Sequence, residues 1–506
     1  LFYFYLPREM FPPNNLDQNQ SMKTTFVAKP VIFLLLSLLA SLCQAADITA
    51  TNSGNWSDTN IWSGGVVPGA NDDADIQGGV NVVVDTNVTV QFIYDSGTVT
   101  MGPNSTLVIT TDNSISSGTG LNATASGNTV MYTCNPFNAR VCNYYNLILN
   151  NTNWTPPTLS YLSHYENFNN FYSSSVSTAT PMTVYGNMTL MGYVKVQEAN
   201  VAGVPINIGG NLTIGSGCAW DCSSGTLNVT SNLYLCGLLE DLDGANGSNN
   251  IGGNVLVMGP TAQGKSAIDG YTNGWYLGDV VTWGVGGSLT NDGAIYGIGY
   301  ASIFFNGTGS IGGSNVLTLP TMTISPTGHY TIADTIMLTT NNANFFGSLT
   351  FDLATTNQID LIPYPGAGTT LTNYYAGGLN VINSGSAPTA GETFQLFSGA
   401  HYTGTFIPEN LPPLPAGLYW IDNLLTTGSL VVGGTTGHPT LSVLQTGNQL
   451  KLSWNSATYS GYQVQAQTNG SGLGNNWSPT GIGTTSPYVV TINPTNPAVF
   501  YRLSNP

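Results

Sequence analysis

Short runs of alternating apolar and polar residues fill the middle of the chain, and one of them recurs. Gly186-Asn187-Met188-Thr189-Leu190 returns as Gly210-Asn211-Leu212-Thr213-Ile214, as Ser231-Asn232-Leu233-Tyr234-Leu235 and as Gly253-Asn254-Val255-Leu256-Val257. The asparagines are 24, 21 and 22 residues apart. Weaker echoes stand at Thr86-Asn87-Val88-Thr89-Val90, Gly287-Ser288-Leu289-Thr290 and Gly347-Ser348-Leu349-Thr350-Phe351. Alternation by two turns one side of a strand inward and leaves Thr or Tyr outside. Recurrence at roughly 20–50 residues marks a solenoid, whose successive turns stack their strands about 4.8 Å apart. The Gly-Asn pair supplies the bend, and stacked Asn side chains can hydrogen-bond between rungs. The pattern predicts an all-β chain dominated by a parallel β-solenoid.

The pattern changes after a Gly/Thr linker at 433–438. Leu441, Val443, Leu450, Leu452 and Trp454 alternate as two strands about a Thr446-Gly447-Asn448 turn. Further strand-like runs follow at Gly461–Gln465, Tyr488–Val490 and Phe500–Leu503, so residues 439–506 read as a small β-sandwich. The preceding coil divides into an N-terminal cap with irregular first units (46–180), regular rungs (181–360) and closing units with a second cap (361–432). A Trp56/Trp62 pair and the acidic cluster Asp72, Asp73 and Asp75 suit the first cap, because an open solenoid end exposes strand edges.

The start of the chain reads as a targeting segment. Residues 1–21 resemble no domain and read as an extension ahead of Met22. Lys23 and Lys29, an apolar run from Val31 to Leu42 and then Cys43-Gln44-Ala45-Ala46 make a signal peptide over 22–45, cleaved after Ala45. The apolar run is short of the ~20 residues a spanning helix needs. Leu42 before Cys43 also fits lipoprotein processing poorly. The expectation is a secreted or outer-surface protein with no transmembrane segment in its mature part.

Composition narrows the choice. Charged residues are 7% of the chain against about 25% in an ordinary soluble protein, and the formal net charge is −17. With eight Lys and Arg in total there is no basic footprint for nucleic acid. Disulfides are permitted outside the cell. Cys134 with Cys142, and Cys218 with Cys222, are the candidate bridges, although either Cys218 or Cys222 could instead pair with Cys236. Zinc is disfavoured by spacing that fits no zinc pattern and by the lack of a nearby His.

The passages from Asn55-Trp56 to Val90, from Gly127-Asn128 to Leu149, and from Gly391-Glu392 through Leu418-Tyr419-Trp420 to Val432 resemble the secreted β-helix proteins of Gram-negative bacteria that carry autotransporter-associated β-strand repeats. The resemblance covers most of residues 50–433 and implies secretion and a right-handed parallel β-helix. Its motifs are structural and bring no catalytic residues. Residues 439–506 resemble the fibronectin-type-III-like module that ends many such proteins.

Candidate chemistry is sparse. A uronate lyase needs a basic groove, and only Arg140, Lys195, Lys265, Lys451 and Arg502 lie beyond the signal segment. A glycoside hydrolase needs two carboxylates about 5–9.5 Å apart. The clusters are Asp72/Asp73/Asp75 and Glu240/Asp241/Asp243, for which solvated turns are the simpler reading. His164, His329, His401 and His438 are scattered, and no Gly-x-Ser-x-Gly elbow has credible partners. Glu240 to Gly247 is similar to a calcium loop, with Asp241 and Asp243 as Ca²⁺ ligands, but Ala245 stands at the third ligand position. Calcium is the one cofactor this admits. An aromatic-rich insert carries Tyr271, Trp275, Tyr276 and Trp283, which could stack on sugar rings or cover the coil as a hydrophobic patch. The expected function is a non-catalytic structural or adhesion protein of the cell exterior, contacting extracellular polysaccharide or a cell-surface component. The alternative is a carbohydrate-active enzyme of the parallel β-helix type.

Overall fold

The computed structural model describes residues 46–111, 120–133, 142–151, 181–192, 194–197, 205–222, 226–241, 248–258, 273–277, 281–297, 301–339, 342–355, 357–362, 372–399, 401–434, 439–456, 459, 461–470, 472–480 and 485–504. The expected signal segment (22–45) and most of the linker lie outside this set. Among the described residues no helix is long and apolar enough to cross a membrane.

The chain coils as a parallel β-solenoid, and each turn lays strands on three faces. Met182–Val184, Met188–Gly192 and Lys195–Gln197 form one such turn. The first face is a sheet of fourteen strands running from Val88–Val90 to Glu409–Asn410. The second begins as four strands and continues through the bridges Ala123↔Tyr144 and Tyr144↔Val184 into a ten-stranded sheet. The third face is built from separate sheets of three, five and four strands. Every Gly-Asn pentad, and every weaker echo of it, contributes a strand to the first face. One repeat is thus one rung.

Register explains the alternation. Met188, Leu212, Leu233, Val255 and Leu289 are successive partners in the ladder, and all are buried. Leu190, Ile214, Leu235 and Val257 make a second inward column beside them. A continuous apolar core therefore runs through the coil, each rung covering the next. Toward its end the core becomes aromatic, with Tyr375 stacked on Phe406 at 4.3 Å and Phe397 4.9 Å from Tyr375, measured between ring centroids.

The asparagine of each pentad ties its rung to the next through a side-chain bond lateral to the backbone ladder. Asn146 Oδ1 accepts the Asn187 N–H at 2.9 Å, and Asn187 Oδ1 accepts that of Asn211 at 2.8 Å. Asn211 Oδ1 accepts both the N–H and the side-chain amide of Asn232, at 3.1 and 3.0 Å. Asn232 and Asn254 pass the relay on to Asn254 and Ser288 at 2.8 and 2.7 Å. The preceding glycine makes room for it: a Cβ on Gly210 would stand 2.5 Å from Asn187 Oδ1, and one on Gly287 2.4 Å from Asn254 Oδ1.

A second device recurs at the edges of rungs. Asp85 accepts from the backbone and hydroxyl of Ser57, Asp292 from Ser314, and Asp352 from Ser384. Burial alone would raise Asp85, but its serine bonds outweigh that and hold the carboxyl below the usual range. At Asp292 and Asp352 the serine bonds dominate and act in the same direction.

The two ends differ from the rungs. Trp56 and Trp62 pack edge to face at 4.8 Å, and Trp62 Nε1 donates to the Trp56 carbonyl at 2.8 Å. At the far end Thr393–Gln395, Ser429–Gly434 and Leu418–Asn423 form an antiparallel sheet, and Leu396, Leu424 and Leu430 complete the core.

Residues 439–506 form a small sandwich. Ser442–Thr446, Gln449–Ser453 and Tyr488–Thr491 make one antiparallel sheet, and Ser478–Pro479, Gln463–Thr468 and Val499–Ser504 the other. They share a core of Leu452, Trp454 and Val464. Gly447 supplies the positive φ of 59° that the first hairpin turn needs.

Asn232→Ala deletes one relay acceptor and leaves the Asn254 N–H without its partner. The expected loss is about 1–3 kcal/mol, read by chemical denaturation; an unchanged midpoint excludes the relay as a stabilising element. Asp352 has a lowered native pKa, so its contribution exists above the unfolded-state value and fades as pH falls through the native one. Asp352→Asn should lower the melting temperature slightly at neutral pH, and the difference should shrink as the pH is lowered through the acid range.

Candidate functional site

The acidic cluster and the aromatic insert, read as separate features in the sequence, meet on the third face. Its five-stranded sheet runs through Lys195–Gln197, Ala219–Asp221, Leu238–Asp241, Gly274–Leu277 and Ile295–Gly297. Val196, Trp220, Leu239, Trp275 and Ile295 are register partners pointing into the core. The next position along each strand points outward and places Asp221, Glu240, Tyr276 and Tyr296 in one row.

Outward residues on this sheet are unusually well covered. Asp221 and Glu240 are each 5% exposed and Tyr276 is 8% exposed, while Tyr296 reaches 36%. Tyr276 and Tyr296 stack at 4.4 Å with their planes 26° apart. Tyr276 also joins Ala219 and Leu238 in a small apolar cluster outside the main core. Two carboxylates on neighbouring strands therefore adjoin a pair of stacked phenols.

The strand alternation decides what the insert can present. Trp275 and Trp283 are fully buried, with ring centroids 4.9 Å apart and planes at 83°. Both indoles belong to the core, so the expectation that they contact glycan is corrected, and the alternative hydrophobic role describes them. In Gly274-Trp275-Tyr276-Leu277 the parity that turns Trp275 inward turns Tyr276 outward. Tyr271 lies outside the described residues.

Of the expected calcium ligands, Asp241 ends its strand opposite Leu277 and Asp243 lies outside the described residues. Among the described residues, no group of three His, Cys, Asp or Glu side chains is placed to hold a metal ion. Asp72, Asp73 and Asp75 take up turn and ladder positions at the first cap. Asp72 accepts the Gly69 N–H at 2.9 Å, and Asp73 stands opposite Asp47 in the parallel ladder. Burial, and then the Asp47 and Asp72 charges, raise the Asp73 carboxyl.

The expected Cys218–Cys222 bridge is not formed. Cys218 is a buried thiol that donates to the Gly192 carbonyl at 3.2 Å. The strand Ala219–Asp221 separates the two cysteines, and four residues of extended chain span about 13 Å, beyond disulfide reach. Cys236 is also a thiol, so it bridges neither of them. Cys142 is half-buried, and its expected partner Cys134 lies outside the described residues.

Asp221 is the site residue that sequence reasoning missed. It pairs with Glu240 across one rung, but the turn Gly215–Cys218 is longer than the Cys236–Gly237 corner that follows. That difference breaks the constant spacing that aligned the asparagines. No protein family, curated protein or solved structure matches this chain in comparison.

The raised pKa of Asp73 means that the native state holds its proton more tightly than the unfolded chain does. Its charged form therefore weakens the fold above the unfolded value of 3.8, and the penalty disappears at lower pH. Asp73→Asn should raise the melting temperature at neutral pH, on the order of 1 °C, and lose that advantage below about pH 3.

Proposed function

We propose that this chain is an exported structural protein whose solenoid contacts glycan at the exposed Tyr296 end of a row on its third face, with Asp221, Glu240 and Tyr276 nearly covered behind it. The carrying observation is the register that aligns Asp221, Glu240, Tyr276 and Tyr296 on a rigid sheet. Aromatic faces stack on the apolar faces of sugar rings, and carboxylates accept hydrogen bonds from hydroxyls. Sites on regular strands hold their geometry better than sites on loops. The signal-like segment 22–45 supports export, and the repeat pentads with their closing segment support kinship with the autotransporter-associated repeat proteins. The terminal sandwich is the fibronectin-type-III-like part of that reading.

One observation favours hydrolysis as a second reading. Asp221 and Glu240 sit directly opposite on strands about 4.8 Å apart, close to the ~5–5.5 Å carboxyl separation of retaining glycosidases.

Glycan-array binding by the full chain, followed by titration with a neutral oligosaccharide hit, tests both readings. Tyr296→Ala should weaken binding by about tenfold, the loss of one stacked ring at ~1–1.5 kcal/mol, with the fold retained and at most a small fall in melting temperature from the lost Tyr276 stack. Binding that ignores Tyr296 removes the row from the proposal. Turnover of the same glycan that Glu240→Gln abolishes replaces the scaffold with the hydrolase.

A further inference from the structure

Two sulfur side chains touch where the coil turns from its first face to its third, and a third cysteine stands in the adjoining turn. Cys236 and Met258 each follow a first-face strand, their N–H groups donating to Ile214 and Leu235 of the preceding rungs at 2.9 and 2.8 Å. Cys236 Sγ lies 3.6 Å from Met258 Sδ. Gly215 holds the same position one rung earlier, its N–H donating to Leu190 at 3.0 Å, and contributes no side chain. Met191, at the rung before that, is 41% exposed. Cys218 closes the turn from Gly215, its N–H donating at 3.0 Å, and its carbonyl accepts the Leu238 N–H at 2.9 Å, two residues from Cys236. The whole chain holds only 6 Cys and 10 Met, so a Cys–Met contact with a second Cys in the adjoining turn is a concentrated set of soft donors.

We propose that this corner binds a soft monovalent metal ion, Cu(I), through Cys236, Met258 and Cys218. Thiolate and thioether together select Cu(I) over Zn²⁺ or Ca²⁺. With metal–sulfur bonds of about 2.3 Å, two sulfurs 3.6 Å apart subtend roughly 100° at the ion, close to a tetrahedral angle. The parallel ladder fixes that spacing before any ion arrives. On binding, the S–H bonds of Cys236 and Cys218 break, both protons pass to solvent, and a copper–sulfur bond forms at each thiolate. The copper stays Cu(I), and the Met258 sulfur donates a lone pair without losing a proton.

The thiols are suited to persist in an oxidising exterior. Burial pushes Cys218 up to about 12 and raises Cys236 as well. A protonated thiol is a poor nucleophile, so air oxidation is slow, and copper uptake strengthens as pH rises.

The test is an anaerobic titration of the full chain with Cu(I), in competition with bicinchoninate. One ion per chain is expected, accompanied by a fall in thiols reactive toward a disulfide reagent. Cys236→Ser should abolish uptake. Met258→Leu, which conserves volume and preserves the fold, should weaken it by on the order of tenfold or more. The proposal is overturned if the chain takes no copper from the chelator, if Met258→Leu binds as tightly as the parent, or if protein purified without reductant carries a Cys218–Cys236 disulfide by mass spectrometry.

Discussion

Hydrogen bonding from one rung to the next is the constraint on which everything else here depends. A strand in this coil has no partner within its own turn, so its backbone is satisfied only by the turns above and below. The asparagine relay adds to that ladder at the corner before each first-face strand from Met188–Gly192 to Leu289–Asn291, where the bending backbone presents N–H groups that the sheet does not take. Glycine at 186, 210, 253 and 287 follows from the same requirement, because a Cβ there would crowd the neighbouring amide, while the relay also passes Ser231.

Vertical bonding also accounts for the composition. Parallel stacking places identical positions side by side, so a charged residue repeated in each rung would face its own like at about 4.8 Å. Thr, Asn and Ser avoid that repulsion and can bond along the stack. Asp survives where a serine of an adjacent rung caps it, as at Asp352, and its pKa is raised where burial and then a facing Asp act on it, as at Asp73. The ends must close the ladder by other means. Indoles do so at one end, and a sheet of reversed strand direction does so at the other.

The sequence disclosed the first face most clearly, since the Gly-Asn pentads carry both its period and its parity. The third face was harder to read. Its strands follow corners of different length, so Asp221 and Glu240 do not share the spacing of the asparagines although they share a register. Residue type misled at Trp275 and Trp283, where an aromatic-rich insert suggested a surface and parity placed both rings in the core. Cys218 and Cys222 looked close in sequence, but extended backbone separates what a turn would have joined. In each case the deciding information was the direction or reach of a strand, which composition does not hold.

The rung at Val255–Val257 pairs with Leu289–Asn291 in unbroken register, although 34 residues rather than 22 separate the equivalent positions Asn254 and Ser288. The entropy of closing the longer excursion differs by well under ~1 kcal/mol, since it grows only with the logarithm of length. Pitch and chain length are therefore uncoupled in this architecture. A lineage could lengthen such an excursion, shorten it or exchange it for another while the coil beneath kept its gauge. Novelty in such a protein would accumulate at its corners, and its rungs would record ancestry.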